Sequence, residues 1–75
     1  RTLIATWVEA KSELQEAESK VAYWEAQLAR QKTLATRGIV ASSKLEEVES
    51  NATAAADRVG VMQKKVIRVA AQLGG

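Results

Sequence analysis

Apolar residues recur along most of the chain at alternating steps of three and four residues. In the first half the repeat consists of Leu3, Trp7, Ala10, Leu14, Ala17, Val21, Trp24 and Leu28. In the second half it consists of Leu45, Val48, Ala52, Ala55, Val59, Met62, Val66, Val69 and Leu73. This is the a/d heptad repeat of a coiled coil, in which the a and d positions form the seam where two helices meet. The chain has no proline and is rich in good helix formers, so the sequence predicts an all-α fold.

Gly38 separates the two heptad runs. Glycine adopts the positive φ that commonly ends a helix, so we expect the chain to double back there as an antiparallel two-helix coiled-coil hairpin. The expected elements are a helix over about 2–36, a turn over about 37–42 and a helix over about 43–73. Ser43 followed by Glu46 fits a capping box at the start of the second helix, and Ser42 is an equally good cap.

A hairpin centred on Gly38 pairs residues whose numbers add to 76, twice 38. Every seam residue of the first run then faces a seam residue of the second; Leu14 faces Met62, for example. Trp24, the largest, faces the small Ala52, which is the complementarity that a close seam needs. A register slipped by one heptad also matches a with d positions, but it leaves Leu3 unpaired. The sequence therefore favours the register in which the numbers add to 76.

The composition argues against several kinds of chemistry. The 75 residues include no Cys and no His, so we expect no disulfide, no structural zinc and no histidine-based catalysis. The acids are spread along the helices, and a two-helix rod offers no pocket, so we predict no enzyme activity, no cofactor and no metal. No apolar run reaches the ~18–20 residues that cross a bilayer. The chain lacks an initiator Met, and we interpret it as one segment excised from a larger protein.

Positive charge is concentrated around the expected turn, although the net charge is only +2. Residues 30–44 contain Arg30, Lys32, Arg37 and Lys44 and no acid. Apolar residues that lie off the heptad share this end: Leu34, Ile39 and Val40. Apolar side chains ringed by cations are typical of a docking surface. The alternative is local packing of the turn, with cations placed to suit the negative end of the first helix dipole. The tip lacks stacking aromatics and a long basic face, so we expect no nucleic-acid partner.

The stretch "RQKTLATRGIVASSKLEE", residues 30–47, resembles the hairpin tip of periplasmic adaptors, the membrane fusion proteins of the HlyD family. The family pattern is an Arg, three residues, a Leu, six residues and a Ser. Arg30 and Leu34 have this spacing, whereas Ala41 stands at the expected Ser and Ser42 follows it. Either Ser42 takes over the contact or a small residue suffices. The closing "VIRVAAQLGG" is similar to hairpin ends in the metal-efflux branch paired with RND pumps.

The resemblance implies an interaction module of a tripartite efflux or secretion system in the periplasm. The hairpin tip would dock on a TolC-like outer-membrane channel, and neighbouring protomers would form a homo-oligomer. The rest of the full-length protein would be anchored at the inner membrane and meet a transporter there. The residues it assigns to the docking tip are Arg30, Leu34, Arg37, Gly38, Ile39, Ala41 and Ser42. The alternative is a structural coiled-coil stalk or dimerisation arm without a channel partner, which explains the heptads but not the spacing of Arg30 and Leu34.

Two residues off the seam allow more than one interpretation. Gly60 lies at an outer position of the second helix, where it is either simply tolerated or allows a neighbouring helix to come close. Tyr23 is mainly expected to pack within the hairpin, but its place off the seam also suits contact with a neighbouring hairpin.

Overall fold

The computed structural model describes residues 2–74 and contains two long helices. Helix α1 spans Thr2–Thr36 and helix α2 spans Ser42–Gly74, and residues 37–41 join them. The helices pack against each other in a rod that measures 55 × 13 × 12 Å. A 35-residue helix at a rise of ~1.5 Å per residue is about 52 Å long, so α1 alone accounts for the length of the rod. The expected antiparallel helical hairpin is confirmed.

The core of the rod is a single line of side chains along the seam. The buried hydrophobic residues are Ala10, Ala17, Val48, Met62 and Val69, and each occupies a predicted a or d position. The other seam residues are half-buried, except for Leu3 and Leu73, which are exposed at the open end. The heptad pattern thus predicted the residues that hold the two helices together.

Among residues 2–74, one hydrogen-bonded ion pair crosses between the helices and indicates their register. Lys65 Nζ donates to Glu13 Oε1 at 2.8 Å, and both side chains are about one-third exposed. Their numbers add to 78, as expected for residues that flank a seam whose numbers add to 76. A slip of one heptad would move one of them about 10 Å along the rod and separate them. The contact therefore agrees with the predicted register and not with the slipped one.

The start of α2 differs from the expected capping box. The Ala41 carbonyl accepts hydrogen bonds from Lys44 N at 3.1 Å and Leu45 N at 3.3 Å, so Ala41 occupies the N-cap. Ser42 and Ser43 lie inside the first turn, where their helical backbone prevents either of them from being the N-cap residue. The capping prediction was wrong because the path of the turn, and not a serine side chain, sets where α2 begins.

Met62 is the largest side chain among the buried seam residues. We expect Met62→Ala to lower the free energy of unfolding by about 2–4 kcal/mol, because it removes buried surface and leaves a cavity opposite Leu14. Thermal and urea melts followed by circular dichroism would measure the change. Gln63→Ala, on the exposed neighbour, should shift the melt by less than about 0.5 kcal/mol. Equal melts for the two variants would show that the seam is not where the structure places it.

Candidate docking tip

A hydrogen-bonded turn closes the hairpin at Gly38. The φ angle of Gly38 is +72°, as the sequence predicted. Gly38 N donates to the Ala35 carbonyl and Ile39 N donates to the Leu34 carbonyl, both at 2.9 Å. These two bonds together with the positive φ define a Schellman motif. The Leu34 carbonyl also accepts from Arg37 N at 3.2 Å, so the turn is fastened directly to the last turn of α1.

The structure brings three of the predicted tip residues into one stripe. Arg30, Leu34 and Arg37 are separated by four and three residues, a spacing that places them on the same side of a helix. Arg37 directly follows the end of α1 and continues the stripe into the turn. Both arginines are exposed and Leu34 is half-buried. The stripe runs beside the seam and ends at the tip of the rod.

The remaining tip residues are open to solvent at the end of the rod. Gly38, Ala41 and Ser42 are exposed, and Ile39 is 63% exposed. Val40 is half-buried, as Leu34 is. Local packing of the turn therefore accounts for part of Leu34 and Val40, but it leaves Ile39 uncovered. An exposed isoleucine beside a basic stripe is the feature that packing alone does not explain.

The basic character of the tip comes from fewer side chains than the sequence indicated. Lys44 Nζ lies 3.8 Å from Glu47 Oε1, so an acid just beyond the basic stretch offsets one of its charges. The ion pairs within residues 2–74 include none of Arg30, Lys32 and Arg37.

The dipole of helix α1 does not explain the positions of most of these cations. The last turn of α1 contains no basic residue, and the dipole acts mainly over that turn. Arg30 and Lys32 lie before it, so of the tip cations only Arg37 suits the helix end. The alternative in which the helix dipole accounts for the cations therefore leaves Arg30 and Lys32 unexplained.

Sequence reasoning missed Gln31, a polar residue in the seam next to the tip. Gln31 continues the heptad after Leu28, and its number adds to 76 with that of Leu45. Its Oε1 is buried without a hydrogen-bond partner among the described residues. A buried polar atom without a partner costs about 1–3 kcal/mol, which makes this layer a weak point of the seam. Extending the heptad count through polar residues would have found it.

Within residues 2–74 no three acidic side chains come together as a potential metal site. Nor does either described helix have a stretch long and apolar enough to cross a membrane. One depression beside the seam is lined by Glu13, Glu16, Ala17, Lys20 and Arg58, and a second by Glu18, Val21, Ala56 and Val59. None of the residues assigned to the tip lines either depression.

Comparison with known proteins identifies no relative. No protein-family model matches the chain, and no curated protein or solved structure matches it. The adaptor interpretation therefore depends on the residues of the tip.

Gly38 and Gly60 should respond in opposite ways to the same substitution. A Cβ at either position would meet no atom within 4 Å, so only backbone conformation matters. Gly38→Ala should destabilise the hairpin by about 1–2 kcal/mol, because alanine is strained at positive φ. Gly60→Ala should stabilise it by about 0.5–1 kcal/mol, because Gly60 lies inside α2. Melts of the two variants at low protein concentration would test this, and a shift of the same sign in both would contradict it.

Gln31→Leu should raise stability, because it replaces a side chain whose buried amide oxygen has no partner among the described residues with one suited to the seam. We expect a gain of about 1 kcal/mol or more in the free energy of unfolding by urea. The matched control is Gln15→Leu, which makes the same change at an exposed outer position and should alter stability by less than about 0.5 kcal/mol. A loss of stability in Gln31→Leu would mean that the amide has a partner after all.

Proposed function

We propose that this chain is the α-helical hairpin of a periplasmic adaptor and that its tip docks on a TolC-like outer-membrane channel. The observation that carries the proposal is the juxtaposition at the tip: an exposed pair of arginines, Arg30 and Arg37, with Leu34 between them and exposed Ile39 beyond them. The ion pairs within residues 2–74 leave both arginines free for a partner. Arg30 and Leu34 also have the spacing of the adaptor tip pattern.

The chemistry of the tip suits the end of a helical partner. Guanidinium groups bind carboxylates and backbone carbonyls through several hydrogen bonds at once, and helix ends offer free carbonyls. Leu34 and Ile39 would fill apolar gaps between the partner's helices. Ser42, exposed beside Ala41, would supply the hydroxyl that the adaptor pattern places one residue earlier.

The shape of the hairpin suits a bridge between two membrane components. Both described ends of the chain, Thr2 and Gly74, lie at the opposite end of the 55 Å rod from the turn. The tip can therefore be held far from whatever the other end is attached to. In this proposal the full-length protein is anchored at the inner membrane, meets a transporter there, and extends the hairpin through the periplasm. A pump of the metal-efflux RND branch is the transporter that the end of the sequence favours.

The test reverses the charge at Arg30 or replaces the apolar side chain of Leu34 with a charged one, and measures binding to the channel. Arg30→Glu and Leu34→Asp should each weaken binding of the hairpin to a TolC-like channel by about thirtyfold or more, the loss expected of a binding hot spot. Arg30 is exposed, so Arg30→Glu should leave helix content and melting temperature close to those of the parent. Leu34 is half-buried, so Leu34→Asp should lower the melting temperature while leaving the helix content at low temperature close to that of the parent. Biolayer interferometry and efflux assays in cells would measure docking and function, and circular dichroism would measure folding.

Arg58→Glu is the matched control. Arg58 is an exposed stem arginine, and the ion pairs within residues 2–74 do not include it, so the same reversal away from the tip should leave binding unchanged. Lys65 would be a poor control, because it is bonded to Glu13 across the helices. Equal binding by the parent and both tip variants would overturn the docking proposal and favour the structural stalk. Loss of helix content in both would show that the tip is a folding element.

A further inference from the structure

Two lysines of α2 flank the seam at equivalent heptad positions, Lys65 on the stem and Lys44 near the tip. Lys65 Nζ donates to Glu13 Oε1 across the seam at 2.8 Å. Lys44 lies three heptads before Lys65, and Leu34 lies three heptads after Glu13. Leu34 and Lys44 therefore face each other near the tip as Glu13 and Lys65 do on the stem. Where Lys65 meets a carboxylate, Lys44 meets an apolar side chain.

The ion pairs within residues 2–74 tie Lys44 only to Glu47, and this contact is loose. Lys44 Nζ lies 3.8 Å from Glu47 Oε1, beyond hydrogen-bond distance, and the two side chains are 52% and 65% exposed. The side chains of Lys65 and Glu13 are only 33% and 34% exposed. An exposed ion pair within one helix contributes little to stability, because water solvates both charges. Lys44 can therefore leave Glu47 for a better acceptor at small cost.

We propose that Lys44 is a further docking residue and that it exchanges Glu47 for a carboxylate of the partner when the tip docks. This inference rests on the proposed function and deepens it. The docking surface then takes residues from both helices, and the partner offers an acidic side chain beside an apolar one. Glu47 is an internal competitor that holds Lys44 in the free hairpin.

Leu34 is the centre of this two-helix surface. Arg30 lies one turn before it on α1, Arg37 lies three residues after it, and Lys44 faces it from α2. Cations thus surround a half-buried leucine on three sides. An apolar side chain of the partner that covers Leu34 brings neighbouring acids within reach of Lys44. The same contact excludes water from the new ion pair, which strengthens the attraction between the charges.

The opposite flank of the tip lacks this arrangement. Lys32 stands at the same height along the rod as Lys44, since their numbers add to 76, and both lysines are exposed. Lys32 occupies an e position, however, and Lys44 a g position, which places them on opposite sides of the seam. Lys32 is also two residues from Leu34, a spacing at which side chains of one helix do not face each other. Of the two lysines, only Lys44 is placed to join Leu34 in a contact.

Neutralising each lysine in turn tests the role of Lys44. Binding to a detergent-solubilised TolC-like channel would be measured by biolayer interferometry. Lys44→Gln should weaken binding by about fivefold or more, because a carboxylate of the partner loses its cation. Lys32→Gln is the matched control: it removes the same charge at the same height on the other flank and should weaken binding by less than about twofold. Equal effects of the two changes, or no effect of Lys44→Gln, would overturn the proposal.

Glu47→Gln gives the sharper test, because it should improve binding, and damage to the fold cannot produce such a gain. Lys44 is then free in the unbound hairpin, so we expect binding about twofold to threefold tighter than that of the parent. Glu46→Gln is the control. Glu46 is exposed and lies two residues from Lys44, on the opposite side of the helix, so its removal should have a clearly smaller effect.

A double variant shows whether the gain acts through Lys44. In a chain that already has Lys44→Gln, Glu47→Gln should change binding no more than Glu46→Gln does. A gain from Glu47→Gln that persists without Lys44 would overturn the exchange, since Glu47 would then act on the partner by simple repulsion.

The outcomes separate this inference from the proposed function. Weaker binding of Arg30→Glu and Leu34→Asp, with no effect of Lys44→Gln or Glu47→Gln, overturns the assignment of Lys44 alone. Binding that none of these four changes alters, or no binding by the parent hairpin, overturns the proposed function and this inference with it.

Discussion

The whole molecule depends on one line of apolar contact between two helices. The buried residues along it include two alanines, Ala10 and Ala17, so the helices are held by small side chains and a few larger ones such as Met62. A rod has no second layer to compensate for a lost contact, since each seam residue is covered only by the opposite helix. The heights at which residues of the two helices face each other along the rod follow from the register of this seam.

Polar contacts fix that register where apolar ones leave a choice. A heptad repeat matches itself after every seven residues, so the seam alone tolerates a slip. The bond from Lys65 to Glu13 and the turn at Gly38 both remove that freedom, one along the stem and one at its end. The buried oxygen of Gln31, which has no partner among the described residues, instead lowers the stability of the layer next to the turn.

The features of the fold that were predicted correctly from the sequence are those determined by the heptad repeat and by Gly38. The heptads identified the buried residues, and Gly38 identified the turn. The N-cap was predicted wrongly because several residues there can begin a helix, and the backbone path through Ala41 decides between them. Gln31 was missed because the pattern was followed through apolar residues only. The tip stripe was predicted as residue types in a spacing, but the exposure of Ile39 depends on side-chain placement in the turn that no periodicity encodes. The contact of Lys44 with Glu47 has the i,i+3 spacing of helix neighbours and could have been predicted from the sequence.

The Schellman turn also has a mechanical consequence. Because the Leu34 carbonyl holds both Arg37 N and Ile39 N, the tip has no slack segment in which movement could be lost. The arginine stripe therefore keeps a fixed orientation relative to the last turn of α1. Because the rod is 55 Å long, a small tilt of the hairpin about its open end becomes a much larger displacement of the tip.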